Sequence, residues 1–364
     1  MNPLDDPLRV SPEGRLFLAR HKFCPWTGKP LAPLIGLRLG QFRIERAIST
    51  AGGFGVVYYA RNVDQEEVEA AIKVLKPPHC YNKEMVRVFL YEAGLGRGLG
   101  VSQIPKIFNV AREPWPHITM EYIEGHTLQE EFELLHESFD SFENSTWIDV
   151  AEARGMMLGI ALALQASHAR DLHHRDLKPL NVMLTQDRNG PPANWVKVID
   201  WGIAMKLDHA AGGEKQSSPS DTASIVEEKL GRMGSLPWMA PEQFSGQTDK
   251  RSDIYQFGLI AFELLTGESA YDPPEDELDL VQWQNIHKFR APKEIRKIRK
   301  AVPRHLARVV ERCLAKNPAD RYADGAELAA ALSVERLSLR IKMTIAFLTV
   351  TLLFAAIYIF NIDR

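Results

Sequence analysis

The stretch that most limits what this chain can fold into is His173-His174-Arg175-Asp176-Leu177-Lys178-Pro179-Leu180-Asn181, followed at once by Val182-Met183-Leu184. It is a short polar turn between two apolar runs. A helix-like run covers residues 159–168 before it, and a buried-strand pattern covers 182–184 after it. Such flanks anchor the turn in a core and hold its side chains still. Four groups in the turn can act on a phosphate. Asp176 can accept a proton from a hydroxyl, and Lys178 is a point charge for a transferring phosphoryl group. Asn181 offers a neutral oxygen to a metal, and Arg175 can pair with an anion.

On these residues the turn resembles the His-Arg-Asp-x-Lys-x-x-Asn catalytic loop of eukaryotic-like (Hanks-type) serine/threonine protein kinases. The resemblance runs over residues 41–332, most of the chain. It implies a two-lobed α+β protein kinase fold, with a small β-rich N-lobe at 41–122 and a larger helical C-lobe at 123–333. By the same resemblance Asp176 orients and deprotonates a substrate hydroxyl, and Lys178 favours serine/threonine over tyrosine substrates. His174 matches the motif histidine, whose implied role is packing and hydrogen bonding.

Upstream, the pattern begins with an alternating strand at 41–48. In Ser49-Thr50-Ala51-Gly52-Gly53-Phe54-Gly55-Val56-Val57-Tyr58, glycines between β-prone runs let a hairpin backbone close over a ligand, with N–H groups free to face phosphates. Aligned backwards from Gly55, it resembles the kinase glycine-rich loop with Thr50 in place of the first glycine. That departure would stiffen the loop or weaken nucleotide binding. The ATP-contacting set implied here is Thr50, Gly52, Gly53, Phe54, Gly55 and Val57.

Ala70-Ala71-Ile72-Lys73-Val74-Leu75 is an apolar strand with one lysine inside it. Burying an unpaired ammonium is costly, so Lys73 needs a partner or an edge position. The resemblance makes Lys73 the holder of the ATP α- and β-phosphates, with Ala71 over the adenine. Its implied partner is an acid on the next helix: Glu92 at a family-like distance, with Glu84 competing. Gly94, Gly96, Gly98 and Gly100 alternate through that helix's expected end. Each interior glycine costs up to ~1 kcal/mol against alanine, so the helix is expected to be loosely held. Residues 117–125 resemble the hinge, with Met120 as gatekeeper and the backbones of Glu121 and Ile123 meeting adenine.

After the turn, Val196-Lys197-Val198-Ile199-Asp200-Trp201-Gly202 delivers one carboxylate from a strand. It resembles the Asp-Phe-Gly motif with Trp201 in place of phenylalanine, so altered packing is expected rather than lost metal binding. Asn181 and Asp200 are then the implied Mg2+ ligands, with Mn2+ as a substitute, and ATP is the implied nucleotide. Residues 208–233 are polar and serine-rich, like an activation segment, and Arg175 is the implied counter-charge for a phosphate on it. Autophosphorylation there and plain linker composition remain two open readings. Gly234-Ser235-Leu236-Pro237-Trp238-Met239-Ala240-Pro241-Glu242 resembles the segment's end. Ser235 would touch Asp176 and Lys178, Glu242 would pair with Arg321, and Asp253 would brace the catalytic loop.

Residues 343–362 form an uncharged apolar run of about 20 residues, enough to cross a ~30 Å hydrocarbon core as a helix. Arg336, Arg340 and Lys342, in the basic segment 334–342, precede it and predict a cytoplasmic face on that side. The expected arrangement is a cytoplasmic kinase domain on a single membrane-spanning tail. Bacterial receptor kinases are the nearest resemblance, but they carry an outer sensor domain, and only Asp363 and Arg364 follow the run. Protein substrates are the implied partners, and homodimerisation stays open.

Composition narrows the rest. A net charge of -3 gives no electrostatic reason to expect a nucleic-acid partner. Cys24, Cys80 and Cys313 are odd in number and widely spaced, which suits a reducing compartment rather than a disulfide framework. Residues 1–10 hold Asp5 and Asp6 and no long apolar run, so no secretory signal is expected. Residues 1–40 resemble no domain. The part at 23–31 looks like half a zinc knuckle, but His21 and Cys24 fall short of the about four ligands zinc needs, so a turn packed on the next domain through Trp26 is expected instead. Thr50, Trp201 and the glycine-studded helix keep open a nucleotide-binding pseudokinase scaffold. A small-molecule phosphotransferase is disfavoured by Arg175 and the Ala240-Pro241-Glu242 signature.

Overall fold

The computed structural model describes residues 6–50, 55–141, 147–201, 235–275 and 279–333, with positions 92 and 138–141 in backbone only. Three short strands come first: β1 (Leu8–Val10), β2 (Leu16–Leu18) and β3 (Ala32–Pro33), an antiparallel sheet in the order β2-β1-β3. Then β4 (Arg38–Leu39), β5 (Phe42–Ser49), β6 (Gly55–Asn62), β7 (Glu69–Leu75), α1 (Lys83–Gly96), β8 (Ile107–Ala111) and β9 (His117–Glu121) build the small lobe. Its six strands run in the order β4-β5-β6-β7-β9-β8.

Strand alternation divides the small lobe's side chains between two faces. Val57 lies opposite Lys73, and Ala71 lies opposite both Tyr59 and Met120, so these share the inner face. Val56, Tyr58, Ile72 and Val74 point the other way and are buried. What covers them is the segment before β4: Leu8, Leu16 and Leu34 belong to the same apolar core. The expectation for Trp26 is therefore corrected. Its ring stays 68% exposed, resting on Phe17 (centroids 5.7 Å apart) and under the Arg15 guanidinium, all within residues 6–34. The small lobe is met by aliphatic side chains instead, because they lose more water-exposed apolar area there while residues 25–30 stay in solvent.

The larger lobe contains β10 (Gly125–Thr127), α2 (Leu128–Ser141), α3 (Val150–His168), β11 (Val182–Thr185), β12 (Val196–Val198), α4 (Lys250–Thr266), α5 (Leu280–Phe289), α6 (Ile295–Ile298), α7 (Arg304–Cys313) and α8 (Gly325–Ser333). Its small sheet runs β10-β11-β12. The apolar run read as a core helix is α3, capped by Asp149, which accepts from the amides of Ala151 and Glu152. Its buried face carries Met156, Met157, Ile160, Ala163 and Leu164. It packs on α4, where residues 252–262 are all buried. Gly325 lets α8 close on α3, since a Cβ there would sit 2.2 Å from the Gln165 amide nitrogen.

Among the described residues no helix is long and apolar enough to cross a membrane. The expected tail at 343–362, its basic lead at 334–342, the expected activation segment at 208–233, and Gly52, Gly53 and Phe54 lie outside the described residues.

One buried polar cluster in this lobe titrates. His287 of α5 is fully buried, stacks on Trp283, and shares a hydrogen bond with the Tyr255 hydroxyl at 2.9 Å. Burial, and then the Lys316 charge, push its pKa down to about 3. Folding thus favours the neutral ring. The stability it contributes is present above about pH 6.5 and is lost as pH falls toward about 3. From about pH 6.5 to about pH 5 the loss from this group is about 2 kcal/mol. In His287→Gln, urea unfolding should show a shallower acid decline than wild type by about that amount; equal slopes would count against this.

Candidate active site

The upper half of the site is a strand surface. Lys73 sits on the inner face of β7, and its side chain is only 8% exposed. An ammonium there must be paired. Its partner comes from the other lobe: Nζ lies 2.6 Å from Asp200 Oδ1. Partial burial alone would raise the Asp200 carboxyl, but the charge and hydrogen bond of Lys73, with His174 and Lys178 nearby, outweigh it and hold the pKa below the usual aspartate value. Gly55 lies against the same lysine, since a Cβ there would come within 3.3 Å of Lys73 Cγ and 3.0 Å of the Val74 carbonyl.

Of the two acids expected to meet Lys73, Glu84 is engaged elsewhere: Arg87 Nε donates to it at 2.9 Å on the exposed side of α1. Glu92 lies in α1, with its side chain outside the description. Among the described residues the ion pair of Lys73 is with Asp200. Val57, Ala71 and Met120 share the inner face with it, and Thr50 follows the end of β5.

The lower half is the polar turn, held from beneath by α4. Asp253 is fully buried and accepts three bonds, from the amides of His174 (2.8 Å) and Arg175 (2.7 Å) and from His168 Nε2 (2.9 Å). Burial would raise its pKa, but the hydrogen bonds from His168 and from the Arg175 amide bring it below the ordinary value. His168 Nδ1 accepts from the Gly325 amide at 3.1 Å, which leaves Nε2 as the proton-bearing nitrogen. One turn along α4, Gln256 accepts from the Leu177 amide at 3.0 Å and donates to the Arg175 carbonyl at 3.1 Å. These bonds support a left-handed backbone at Arg175, φ 67°. Sequence reading singled out Asp253 but not Gln256 or His168. The i, i+3 spacing of Asp253 and Gln256, two polar residues in an apolar helix, was the available signal.

The reactive groups gather above this support. Lys178 Nζ lies 2.9 Å from Asp176 Oδ2 and 2.7 Å from Ser235 Oγ. Asn181 Nδ2 donates to the Asp176 carbonyl at 2.8 Å. Antiparallel pairing of β11 and β12 continues to Asn181, whose carbonyl accepts from the Ile199 amide at 2.9 Å, so Asn181 and Asp200 become neighbours. His174, completely buried, meets the Ile199 carbonyl through Nε2 at 2.9 Å, and burial lowers its pKa. It is a packed neutral ring and not a proton carrier. The donor set fits a hard divalent cation. The Asn181 amide is fixed through its nitrogen and keeps its oxygen, and Asp200 keeps a second carboxylate oxygen beyond the one on Lys73.

Residues 46–332 match the family model described as the protein kinase domain. The chain belongs to the protein kinase family. Over 334 residues it is 34% identical to the serine/threonine-protein kinase Pkn1 of Myxococcus xanthus, covering 90% of this chain and 43% of that one. PknB of Mycolicibacterium smegmatis is 30% identical, covering 77% of this chain and 41% of its own. PrkC of Bacillus subtilis is 29% identical, covering 82% and 41%. The chain thus spans less than half the length of these relatives. In fold it is similar to the PknI kinase domain of Mycobacterium tuberculosis, with a TM-score of 0.55 at 23% identity over 83% of this chain and 98% of that one.

One departure from the family pattern acquires a structural account. Trp201 packs its ring 4.9 Å from that of His174 and donates from Nε1 to the Val198 carbonyl at 3.1 Å. The larger side chain is thus absorbed in the lower core, beside an Asp200 at φ 60°. The hinge has its own clamp. Glu121 pairs with Lys197 of β12 at 2.6 Å and accepts from the Lys106 amide at 2.9 Å. The Glu121 backbone amide also donates to the Lys106 carbonyl at 2.8 Å. Nothing in residue spacing marked Lys197 as its partner.

Below the site, the Arg321 side chain is fully buried and spends its guanidinium on Glu242 (2.7 and 2.9 Å) and on the carbonyls of Ala315, Arg251 and Lys316. A lysine has three donors and no fork, so it leaves this set incomplete. Arg321→Lys keeps the charge but leaves buried acceptors unsatisfied, and is expected to cost roughly 1–3 kcal/mol in denaturant unfolding. A loss near zero would mean that the buried pair contributes nothing the lysine lacks.

Proposed function

We propose that this chain is a protein serine/threonine kinase that transfers the γ-phosphoryl group of ATP to protein hydroxyls. The observation that carries the reading is the 2.6 Å pair of Lys73 and Asp200, which joins the upper and lower halves beside Asp176, Lys178 and Asn181. Lys73 would meet the α- and β-phosphates. The inner face of Val57 and Ala71, with Thr50, Gly52, Gly53, Phe54 and Gly55, would cover the nucleotide, and Glu121 and Ile123 would meet adenine through their backbones. Glu92 would steady Lys73.

Asn181 and Asp200 would hold Mg2+, or Mn2+ in its place, and the bound cation neutralises charge on the phosphates. Asp176 takes the proton as the substrate oxygen bonds to the γ-phosphorus and the bridging bond to the β-phosphate breaks. Lys178, which contacts both Asp176 and Ser235, would steady the charge on the transferring group. Arg175 remains the candidate counter-charge for a phosphate on the activation segment.

Radiolabelled transfer from ATP to a generic protein should be robust in wild type and fall by about 10²–10⁴-fold in Asp176→Asn. ATP binding without transfer by wild type would favour the scaffold reading over the enzyme.

The same proposal includes attachment to a membrane through residues 343–362, with the kinase domain on the cytoplasmic side. Its support is the uncharged apolar run and the basic residues Arg336, Arg340 and Lys342 before it. The full chain should sediment with membranes and resist extraction by high salt, and a version ending at residue 342 should be released. Sedimentation that survives the removal would overturn the anchor.

A further inference from the structure

We propose that residues 6–34 form a built-in brace that sets the position of α1, and through it the upper half of the nucleotide site. Asp6 and Tyr81 are its positioning residues. The inference rests on the kinase reading for its consequence at ATP, but the brace itself stands on contacts.

The anchor is Asp6. Its carboxylate is completely buried and accepts from the amides of Leu8 (3.0 Å), Leu34 (2.5 Å) and Ile35 (2.8 Å) and from the Tyr58 hydroxyl of β6 (2.7 Å). Burial, and then the Asp6 charge, raise the Tyr58 pKa, so that hydroxyl stays a donor. One carboxylate therefore closes the segment on itself and ties it to the sheet. Around it Leu8, Leu16 and Leu34 share a core with Ile44, Val56, Ile72 and Val74. Asparagine at position 6 would turn one acceptor into a donor among donors, leaving buried groups unsatisfied.

The link to α1 comes from the same segment. Tyr81 lies in the short turn that precedes α1, and its hydroxyl donates to the Leu16 carbonyl at 2.7 Å. Next to it, Cys80 packs against both the core shared with residues 6–34 and the core under α1. Asn82 then caps the helix, accepting from the amides of Glu84 and Met85. The far end is tied to the other lobe, where Arg170 donates to the Gly98 carbonyl at 2.9 Å.

Between these ties α1 is held by apolar packing. Val86, Phe89 and Ala93 meet Leu75 and Ile118. Gly94 and Gly96 lie inside the helix, and each weakens it. A helix held by its ends follows whatever moves its ends. α1 carries Glu92 and packs behind the strand of Lys73, so its placement bears on the phosphates.

The experiment uses the full chain and two variants, Asp6→Asn and Tyr81→Phe. Hydrogen exchange is followed at the α1 amides, at residues 8–34 and at α3, and ATP affinity is measured with Mg2+. The brace requires α1 exchange to rise about tenfold in Asp6→Asn and about threefold in Tyr81→Phe. ATP binding should weaken in the same order, α3 should be unchanged, and Tyr81→Phe should leave residues 8–34 protected. If residues 8–34 open in Asp6→Asn while α1 exchange and ATP affinity stay at wild-type values, the segment is only a cover and the inference fails. Should Asp6→Asn not fold, Tyr81→Phe decides alone, because it removes one hydroxyl and no packing. If wild type binds no ATP, the kinase reading has failed, and the exchange measurement still decides the brace.

Discussion

An ammonium group inside an apolar strand must find an opposite charge, and in this protein it finds one on the other lobe. Lys73 and Asp200 are each placed by their own lobe, the lysine by strand register and the carboxylate by the pairing of β12 with β11. Neither lobe supplies both charges among the described residues. Separating the pair would leave a mostly buried lysine uncompensated, a loss on the order of 3–5 kcal/mol. That cost ties the relative placement of the lobes to the site between them. It also keeps Asp200 ionised, the form that pairs with the Lys73 ammonium.

The two halves of the site are held by different means. The lower half rests on buried acceptors of α4, where Asp253 and Gln256 take up the backbone of the polar turn bond by bond. Such contacts are directional and leave little freedom. The upper half rests on the ladder of a six-stranded sheet, with α1 packed behind it through apolar side chains. The apolar packing of α1 has no directional bonds, and glycines at 94 and 96 weaken the helix itself.

Much of this was legible before any coordinates. The two-lobed architecture was implied by the resemblance to protein kinases that the catalytic turn, the single-lysine strand and the acidic residue after a strand carry. Residues the sequence singled out separately, such as Asp176, Lys178, Asn181 and Asp200, lie within one site. Glu242 and Arg321, 79 positions apart, are in direct contact. Residues 6–34 were not legible. Their strands are only two or three residues long, too short to show a period, and their apolar positions become meaningful only against the outer face of another sheet. The exposed Trp26 misled for the same reason, since a large ring in an unfamiliar segment suggests packing that three leucines perform instead.

By itself the sequence determined which chemistry is available, since residue type and short spacing specify acids, bases and donors and the turns that carry them. Local pattern also marked β5, β7, β11 and the core helix α3. Only tertiary structure decided which charges meet. It paired Lys73 with Asp200 while Arg87 engaged Glu84, joined Glu121 to Lys197, and placed Asp6 beneath Tyr58. The physical reason is that an ion pair or a buried carboxylate is satisfied by whatever donor lies within about 3 Å, and nearness across elements is set by packing rather than by position along the chain.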